Sequence, residues 1–380
     1  IDDLDTVLGG GFLVGGVVLV AGQPGIGKST LLAQVAAHIA KAKSVLYVSG
    51  EESVSQVKLR AERLGAADSG KMQLASSNSA EDIATSIQQG GYDLAIVDSV
   101  QTISLSEISS APGSVSQITN SSNVIIRAAK ASGTAVILVG HVTKEGSIAG
   151  PKILEHLVDV VLNFEGDRHS SLRMLRGIKN RFGATDEVGC FEQQSDGIKE
   201  IPDPSGLFLS HRDATPDGTA VTVAMDGVRP IVAEVQALVV PTESKNPRRA
   251  VTGLDATRVP MVLAVLAARA GRRTHTSEVY VATVGGMKVG EPATDLAIAM
   301  ATVSAITKKP LPAKTVVLGE VGLAGEIRRV PNVQRRLMEA KRLGYRQAVI
   351  PAGSDVDDSA LPGLRVVEVA TIHDALRLIQ

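Results

Sequence analysis

The stretch Gly22-Gln23-Pro24-Gly25-Ile26-Gly27-Lys28-Ser29-Thr30 limits what this chain can fold into more than any other. It follows the apolar run 16–21 and opens an amphipathic run over 31–41, so it reads as strand, glycine-rich turn, helix. That is the setting the G-x-x-x-x-G-K-[ST] phosphate loop requires. Its glycines let backbone N–H groups close around phosphate oxygens, and the helix N-terminus adds partial positive charge. Lys28 can reach the β- and γ-phosphates, and the Ser29 hydroxyl can ligate Mg²⁺. The motif therefore predicts that residues 22–30 bind ATP or ADP with Mg²⁺.

The segments that follow extend an α/β pattern. Residues 44–49 read as a buried strand ending in Gly50-Glu51-Glu52, two carboxylates at a strand's C-terminal edge, where such folds place ligands. One of them could deprotonate the water that attacks the γ-phosphate; equally, the two could be an acidic pair at a helix N-terminus. Residues 92–99 form an apolar strand ending in Asp98, the Walker B pattern, which predicts that Asp98 holds the Mg²⁺ shell through water or Ser29. Residues 134–140 form another buried strand and end at His141, either a γ-phosphate sensor or a plain capping histidine. Segments 104–116 and 143–151 read as mobile loops, with Lys144 and Lys152 in or beside the second. Residues 158–164 and 171–177 suggest an antiparallel pair. Strands alternating with helices predict a doubly wound, mainly parallel sheet.

Lys179-Asn180-Arg181-Phe182-Gly183 stands apart. Two cations two residues apart in a strand point the same way. They suit a solvated face, or a finger supplied to a neighbouring subunit's nucleotide. Turn-rich segments at 202–206 and 213–218 mark a boundary, predicting domains at 1–213 and 214–380. The second has strands near 221–225, 231–240, 278–284, 316–320 and 348–351, with helices over 259–270, 294–306 and 333–343. It is an α+β or α/β domain without a phosphate loop of its own.

Composition narrows the partners. A length of 380 residues allows two or three domains. Net charge is −1, so any nucleic-acid contact must come from local basic patches. Aromatics are 2% with no Trp, which argues against base stacking as the main mode of contact. The single cysteine, Cys190, excludes a disulfide framework and an intrachain multi-cysteine zinc site, and fits a reducing cytoplasm. No apolar run approaches a membrane span and no signal peptide is visible; the start at Ile1 suggests a trimmed N-terminus.

Taken in order, the phosphate loop, Val48-Ser49-Gly50-Glu51-Glu52-Ser53, Ile96-Val97-Asp98-Ser99, Val139-Gly140-His141-Val142-Thr143-Lys144-Glu145-Gly146 and the Lys-Asn-Arg-Phe-Gly pentad resemble the bacterial RadA (Sms) family. These are RecA-superfamily ATPases of recombination and repair, and the pentad is the family's own signature. From about Pro230 the chain resembles the proteolytic domain of Lon, through residues 290–295 and 319–326. The resemblance implies a RecA-like P-loop ATPase core followed by a Lon-protease-like α+β domain. It implies Glu51 as general base, Asp98 as Walker B acid and His141 as γ-phosphate sensor. Lys179 and Arg181 would reach ATP across a subunit interface, in a ring that by family analogy is a hexamer. The implied activity is a DNA translocase of the replicative-helicase type that drives branch migration, with single-stranded or branched DNA and RecA as partners. A protein-remodelling machine and a DNA clamp that does not translocate are the rival readings.

Two departures from the resemblance have chemical consequences. The family usually begins with a four-cysteine zinc module; this chain has no such cysteines, so no zinc is expected. At the position of the Lon nucleophile stands Ala293, and its amine partner falls at about Gln334. A Ser-Lys dyad needs a hydroxyl and an amine, so no peptidase activity is expected. For DNA, Lys144, Lys152, Arg248, Arg249, Arg328 and Arg329 are the candidate phosphate contacts. They belong to a wider set with Lys245, Arg258, Arg272, Arg273, Arg335 and Arg336. Any single one of these could instead be an ordinary surface cation.

Overall fold

The computed structural model describes residues 4–5, 11–63, 71–142, 151–166, 170–201, 209 and 215–379. Lys144, most of the second loop and most of the turn-rich boundary segments lie outside the described residues. The chain divides into two compact units, Ile1–Pro202 and Asp203–Gln380.

In the first unit, the apolar runs become β1 (Val17–Gly22), β2 (Val45–Ser49), β3 (Met72–Ser76), β4 (Leu94–Asp98), β5 (Ala135–His141) and β6 (Val160–Gly166). They lie parallel in the order β3-β2-β4-β5-β1-β6. Strands β7 (Leu172–Asn180), β8 (Val188–Gln194) and β9 (Gly197–Glu200) extend the sheet antiparallel beyond β6. The central strands are apolar without alternation because helices cover both faces. On one face, Leu31, Leu32 and Val35 of α1 (Lys28–Ile39) pack with Val18, Val20 and Tyr47. On the other, Ile83 and Ile87 of α3 (Ala80–Gly90) and Ile118 and Ile125 of α4 (Val115–Ser132) pack with Leu19, Val97 and Leu138. Helix α2 (Val54–Arg63) follows β2, and the short α5 (Pro151–Leu154) precedes β6.

Segment 104–116, expected to be a mobile loop, is tied down, and its last two residues already belong to α4. The buried side chain of Gln117 accepts from Leu105 N (2.9 Å) and donates to the Ser110 carbonyl (2.9 Å). Glu81 accepts from the Ser106 backbone (2.7 Å) and hydroxyl (2.8 Å). The bonds from Ser106 draw the Glu81 pKa down to about 2. Both anchors lie in the helices on either side of the loop, where loop composition carries no sign of them.

The second unit has one mixed sheet in the order β12-β13-β11-β10-β14-β17-β18. Its strands are β10 (Thr219–Asp226), β11 (Arg229–Pro241), β12 (Arg249–Thr252), β13 (Ser277–Thr283), β14 (Thr315–Val317), β17 (Gln347–Pro351) and β18 (Arg365–Val369). A small pair, β15 (Glu320–Val321) and β16 (Ile327–Arg328), stands beside it. Helices α6 (Arg258–Ala270), α7 (Asp295–Thr307) and α8 (Val333–Arg342) cover it, and α9 (Ile372–Leu376) ends the chain. Helix α7 is apolar on nearly every side because it is buried on every side.

Two arginines of the wider basic set leave it here. Arg336 is 0% exposed, and its guanidinium donates to Glu291 (2.5 and 3.0 Å) and to the Val223 carbonyl (2.8 Å). Arg258 is bound to the fully buried Asp295 (Nε to Oδ1, 2.8 Å). A cation committed to a carboxylate inside the fold holds elements together and is not free to meet a phosphate. Sequence spacing marked these residues as basic and carried no sign of their carboxylate partners.

Candidate active site

The sheet register assembles the site at the C-terminal edge of β1. Gly22 lies level with His141 of β5 on one side and Phe164 of β6 on the other. The turn that follows needs its glycines. A Cβ on Gly22 would lie 2.5 Å from the Phe164 carbonyl oxygen. Gly27 has φ of +104°, where a side chain is strained.

Lys28, the first residue of α1, curls back over the loop. Its Nζ donates to the carbonyls of Gly22 (2.6 Å) and Gln23 (2.8 Å). Burial lowers its pKa to about 8, against the opposing pull of Asp98 and Glu51. The Ser29 hydroxyl donates to Asp98 Oδ2 (2.6 Å), and the buried Tyr47 hydroxyl donates to the same oxygen (3.1 Å). A hydroxyl and a carboxylate side by side are hard oxygen donors of the kind Mg²⁺ takes while keeping water and phosphate ligands. The donor set fits that ion.

The two carboxylates after β2 have different surroundings. Glu52 is ion-paired with Arg60 of α2, and its backbone N–H donates to Ser49 Oγ (3.0 Å). The Glu51 side chain is 56% exposed, with Oε1 3.7 Å from His141 Nε2. His141 is held at the end of β5 by Gln101, whose side-chain amide accepts from His141 N (3.2 Å) and donates to its carbonyl (3.1 Å). Burial and the Lys28 charge pull the His141 pKa below its usual value, outweighing Asp98 and Glu51. The ring is therefore neutral at neutral pH.

Lys179 and Arg181 lie elsewhere. The Arg181 backbone N–H donates to the Asp159 carbonyl (2.9 Å), and Asp159 sits beside Val17 at the start of β1. Gly22 is five residues further along that strand, about 16 Å away at about 3.3 Å per residue. An arginine side chain does not span that distance, so neither cation reaches its own chain's phosphate loop. Both engage the turn before β6. Lys179 Nζ donates to the carbonyls of Glu155 and Val158 (3.0 Å to the latter), and Arg181 Nη1 donates to Asp159 Oδ1 (2.8 Å).

Several supporting residues were not foreseen from the sequence. Tyr47 and Gln101 are two of them. The buried Arg173 of β7 donates through Nε to the Ile26 carbonyl (2.8 Å) and through Nη2 to Gln193 (2.7 Å), bracing the phosphate loop from the antiparallel strands. Gln34 of α1 pairs with both backbone groups of Ile198 (2.7 and 3.0 Å), fixing the β8–β9 hairpin to the same helix. The one available signal was an arginine between apolar residues of a strand, Leu172-Arg173-Met174-Leu175.

Of the candidate DNA contacts, Lys152, Arg248, Arg249, Arg328 and Arg329 are exposed. Arg249 donates to the carbonyls of Thr274 (2.8 Å) and Ser277 (2.5 Å). That draws the start of β12 against the loop carrying Arg272 and Arg273. Ala293 is buried, and Gln334 pairs with the Asp357 backbone, so neither position offers a nucleophile or a base.

A family model described as an AAA domain matches residues 3–147, the stretch that holds the phosphate loop, Glu51, Asp98 and His141. The chain is 50% identical to the DNA repair protein RadA of Mycobacterium tuberculosis (strain ATCC 25618 / H37Rv) over 379 residues, 99% of this chain and 78% of the relative. The chain belongs to the RadA family. RadA of Bacillus subtilis (strain 168) is 46% identical over 377 residues, and RadA of Streptococcus pneumoniae (strain ATCC BAA-255 / R6) 45% over 376. Each match covers 99% of this chain, with 82% and 89% of the respective relative. Similarity to RadA thus runs through both units. A model described as subunit ChlI of Mg-chelatase also matches residues 260–354, within the second unit. With the RecA-like sheet and its phosphate loop, the AAA-domain match and the RadA relatives identify the first unit as a P-loop ATPase core.

Proposed function

We propose that this chain is an ATP-driven motor on single-stranded or branched DNA, acting in the cytoplasm in recombinational repair by driving branch migration. The observation that carries this reading is the separation of Lys179 and Arg181 from their own phosphate loop. The loop, Lys28, Ser29, Glu51, Asp98 and His141 sit at one edge of the sheet, and the two signature cations sit at the other. A neighbouring copy completes the site. Ile178 and Phe182, 40% and 49% exposed, flank the cations and suit that contact. The ring is by analogy a hexamer.

In this reading, the loop amides and Lys28 hold the β- and γ-phosphates, and Ser29 and Asp98 hold Mg²⁺, which neutralises charge on the phosphate oxygens when bound. Glu51 takes the proton of the attacking water. Neutral His141 senses the γ-phosphate, and Gln101 passes its position to the segment after β4. Lys179 and Arg181 stabilise the charge that develops on the neighbour's transferring phosphoryl group. Lys152, Arg248, Arg249, Arg328 and Arg329, with Lys144, contact DNA phosphates. The second unit is a Lon-like scaffold without peptidase activity, and RecA is the protein partner. The relatives carry the name DNA repair protein, which supports the process assigned.

The test is ATP turnover with and without single-stranded DNA at two salt concentrations. Stimulation that fades with salt supports a motor gripping phosphates. Turnover indifferent to DNA, where nucleotide binds well, overturns the motor reading.

A further inference from the structure

Asp159 is the acid around which the far edge of the first sheet is arranged. Its side chain is 3% exposed, and a carboxylate so buried needs partners to stay ionised. Oδ2 accepts from the Val17 N–H (2.9 Å) and from Lys130 of α4 (2.5 Å). Oδ1 accepts from Arg181 (2.8 Å). Burial would raise its pKa, but Lys130, the Val17 N–H and Arg181 together hold it below the usual value. The two cations, 47% and 53% exposed, face one carboxylate, so Asp159 does not neutralise both.

We propose that Asp159 is the positioning residue for Arg181, with Lys130 as its counter-charge. This rests on the reading of Arg181 as a finger acting on a neighbour's nucleotide. The backbone N–H of Arg181 is bound to the Asp159 carbonyl, and one guanidinium nitrogen to its carboxylate. Of the five guanidinium N–H groups, the rest stay available for an incoming phosphoryl oxygen. The rotamer is fixed before the subunits meet, so less freedom is lost when the finger engages. Lys130 matters because a lone Asp159 would cancel the charge that Arg181 presents. With Lys130 in place the aspartate orients the guanidinium without silencing it. Lys179, lodged on the carbonyls of the same turn, is aligned by the same element.

The test uses DNA-stimulated turnover of the whole chain, alone and in rings mixed with Lys28→Ala. That variant cannot hydrolyse ATP but carries an intact Arg181. Arg181→Ala is expected to lower kcat at least about a hundredfold and to recover in mixed rings. Asp159→Asn is expected to lower kcat about tenfold with the nucleotide KM unchanged, and to rise in mixed rings above the sum of the separate activities. Lys130→Met, altering a half-exposed side chain, is expected to act in the same direction if Asp159→Asn fails to fold. A wild-type rate in both single variants, or a loss that mixing does not relieve, overturns the assignment while leaving the finger intact. A normal rate in Arg181→Ala overturns the finger, and this inference with it.

Discussion

Glu51 Oε1 lies 3.7 Å from His141 Nε2 at the open end of the phosphate loop, while the neighbouring Glu52 is committed to Arg60. The sequence offered two adjacent acids, and only one of them is free to handle a water. Glu51→Gln is expected to bind ATP normally and to hydrolyse it about 10²–10⁴-fold more slowly, the usual contribution of a general base. Glu52→Gln is expected to keep most of its turnover and to lose stability. Single-turnover hydrolysis and thermal unfolding of both variants check the assignment; equal kinetic losses would contradict it.

The burial of Lys28 gives nucleotide binding a pH dependence. Its pKa is lowered to about 8, from an ordinary value of 10.5. Below pH 8 the ammonium is held at a cost, which is relieved as pH rises between 8 and 10.5. Phosphate binding favours the charged form, so affinity is full below pH 8 and falls above it, by at most about tenfold per unit. A titration of a fluorescent ADP between pH 7 and 9.5 measures this. Affinity that stays flat to pH 9.5 would show that Lys28 is not the titrating contact.

Arg336 and the exposed arginines should separate cleanly. Arg336→Ala leaves Glu291 without its buried partner and is expected to destabilise the second unit by about 3–5 kcal/mol. The salt dependence of DNA binding should not change. Arg248→Ala and Arg329→Ala should each leave stability nearly intact and reduce the salt slope by about 1. Denaturant unfolding and DNA titrations at several salt concentrations distinguish the two classes.

Gly22→Ala tests the cradle. The new methyl would meet the Phe164 carbonyl at 2.5 Å, a backbone atom that cannot swing aside. Strand β1 must shift against β6, at a cost of about 1–3 kcal/mol, and the loop with it. Loss of nucleotide affinity beyond the loss of stability is expected, measured by binding at a temperature where the variant remains folded.

The parts of this site that follow from local pattern were readable in the sequence. Residues 22–30 carry their chemistry in consecutive positions, and Asp98 and His141 each end an apolar run, so strand boundaries placed them at one sheet edge. Local pattern left Glu51 and Glu52 open, and only the family resemblance pointed to Glu51, because the deciding partner, Arg60, is a helical turn or more away. Tyr47 reads as one more apolar strand residue until its hydroxyl is seen on Asp98, 51 positions on. Arg173 reaches across 147 positions to Ile26. Arg336 looked like its exposed neighbour Arg335, because a basic helix shows its polar residues without showing which of them the fold has turned inward. Long-range partners, not residue types, separate what was legible from what was not.

The distance between Arg181 and Gly22 also bears on dilution. If two copies must touch to make one working centre, activity per milligram is not a constant of this protein. It should decline as the solution is thinned, recover on concentration, and trace in its curvature the affinity of one subunit for the next.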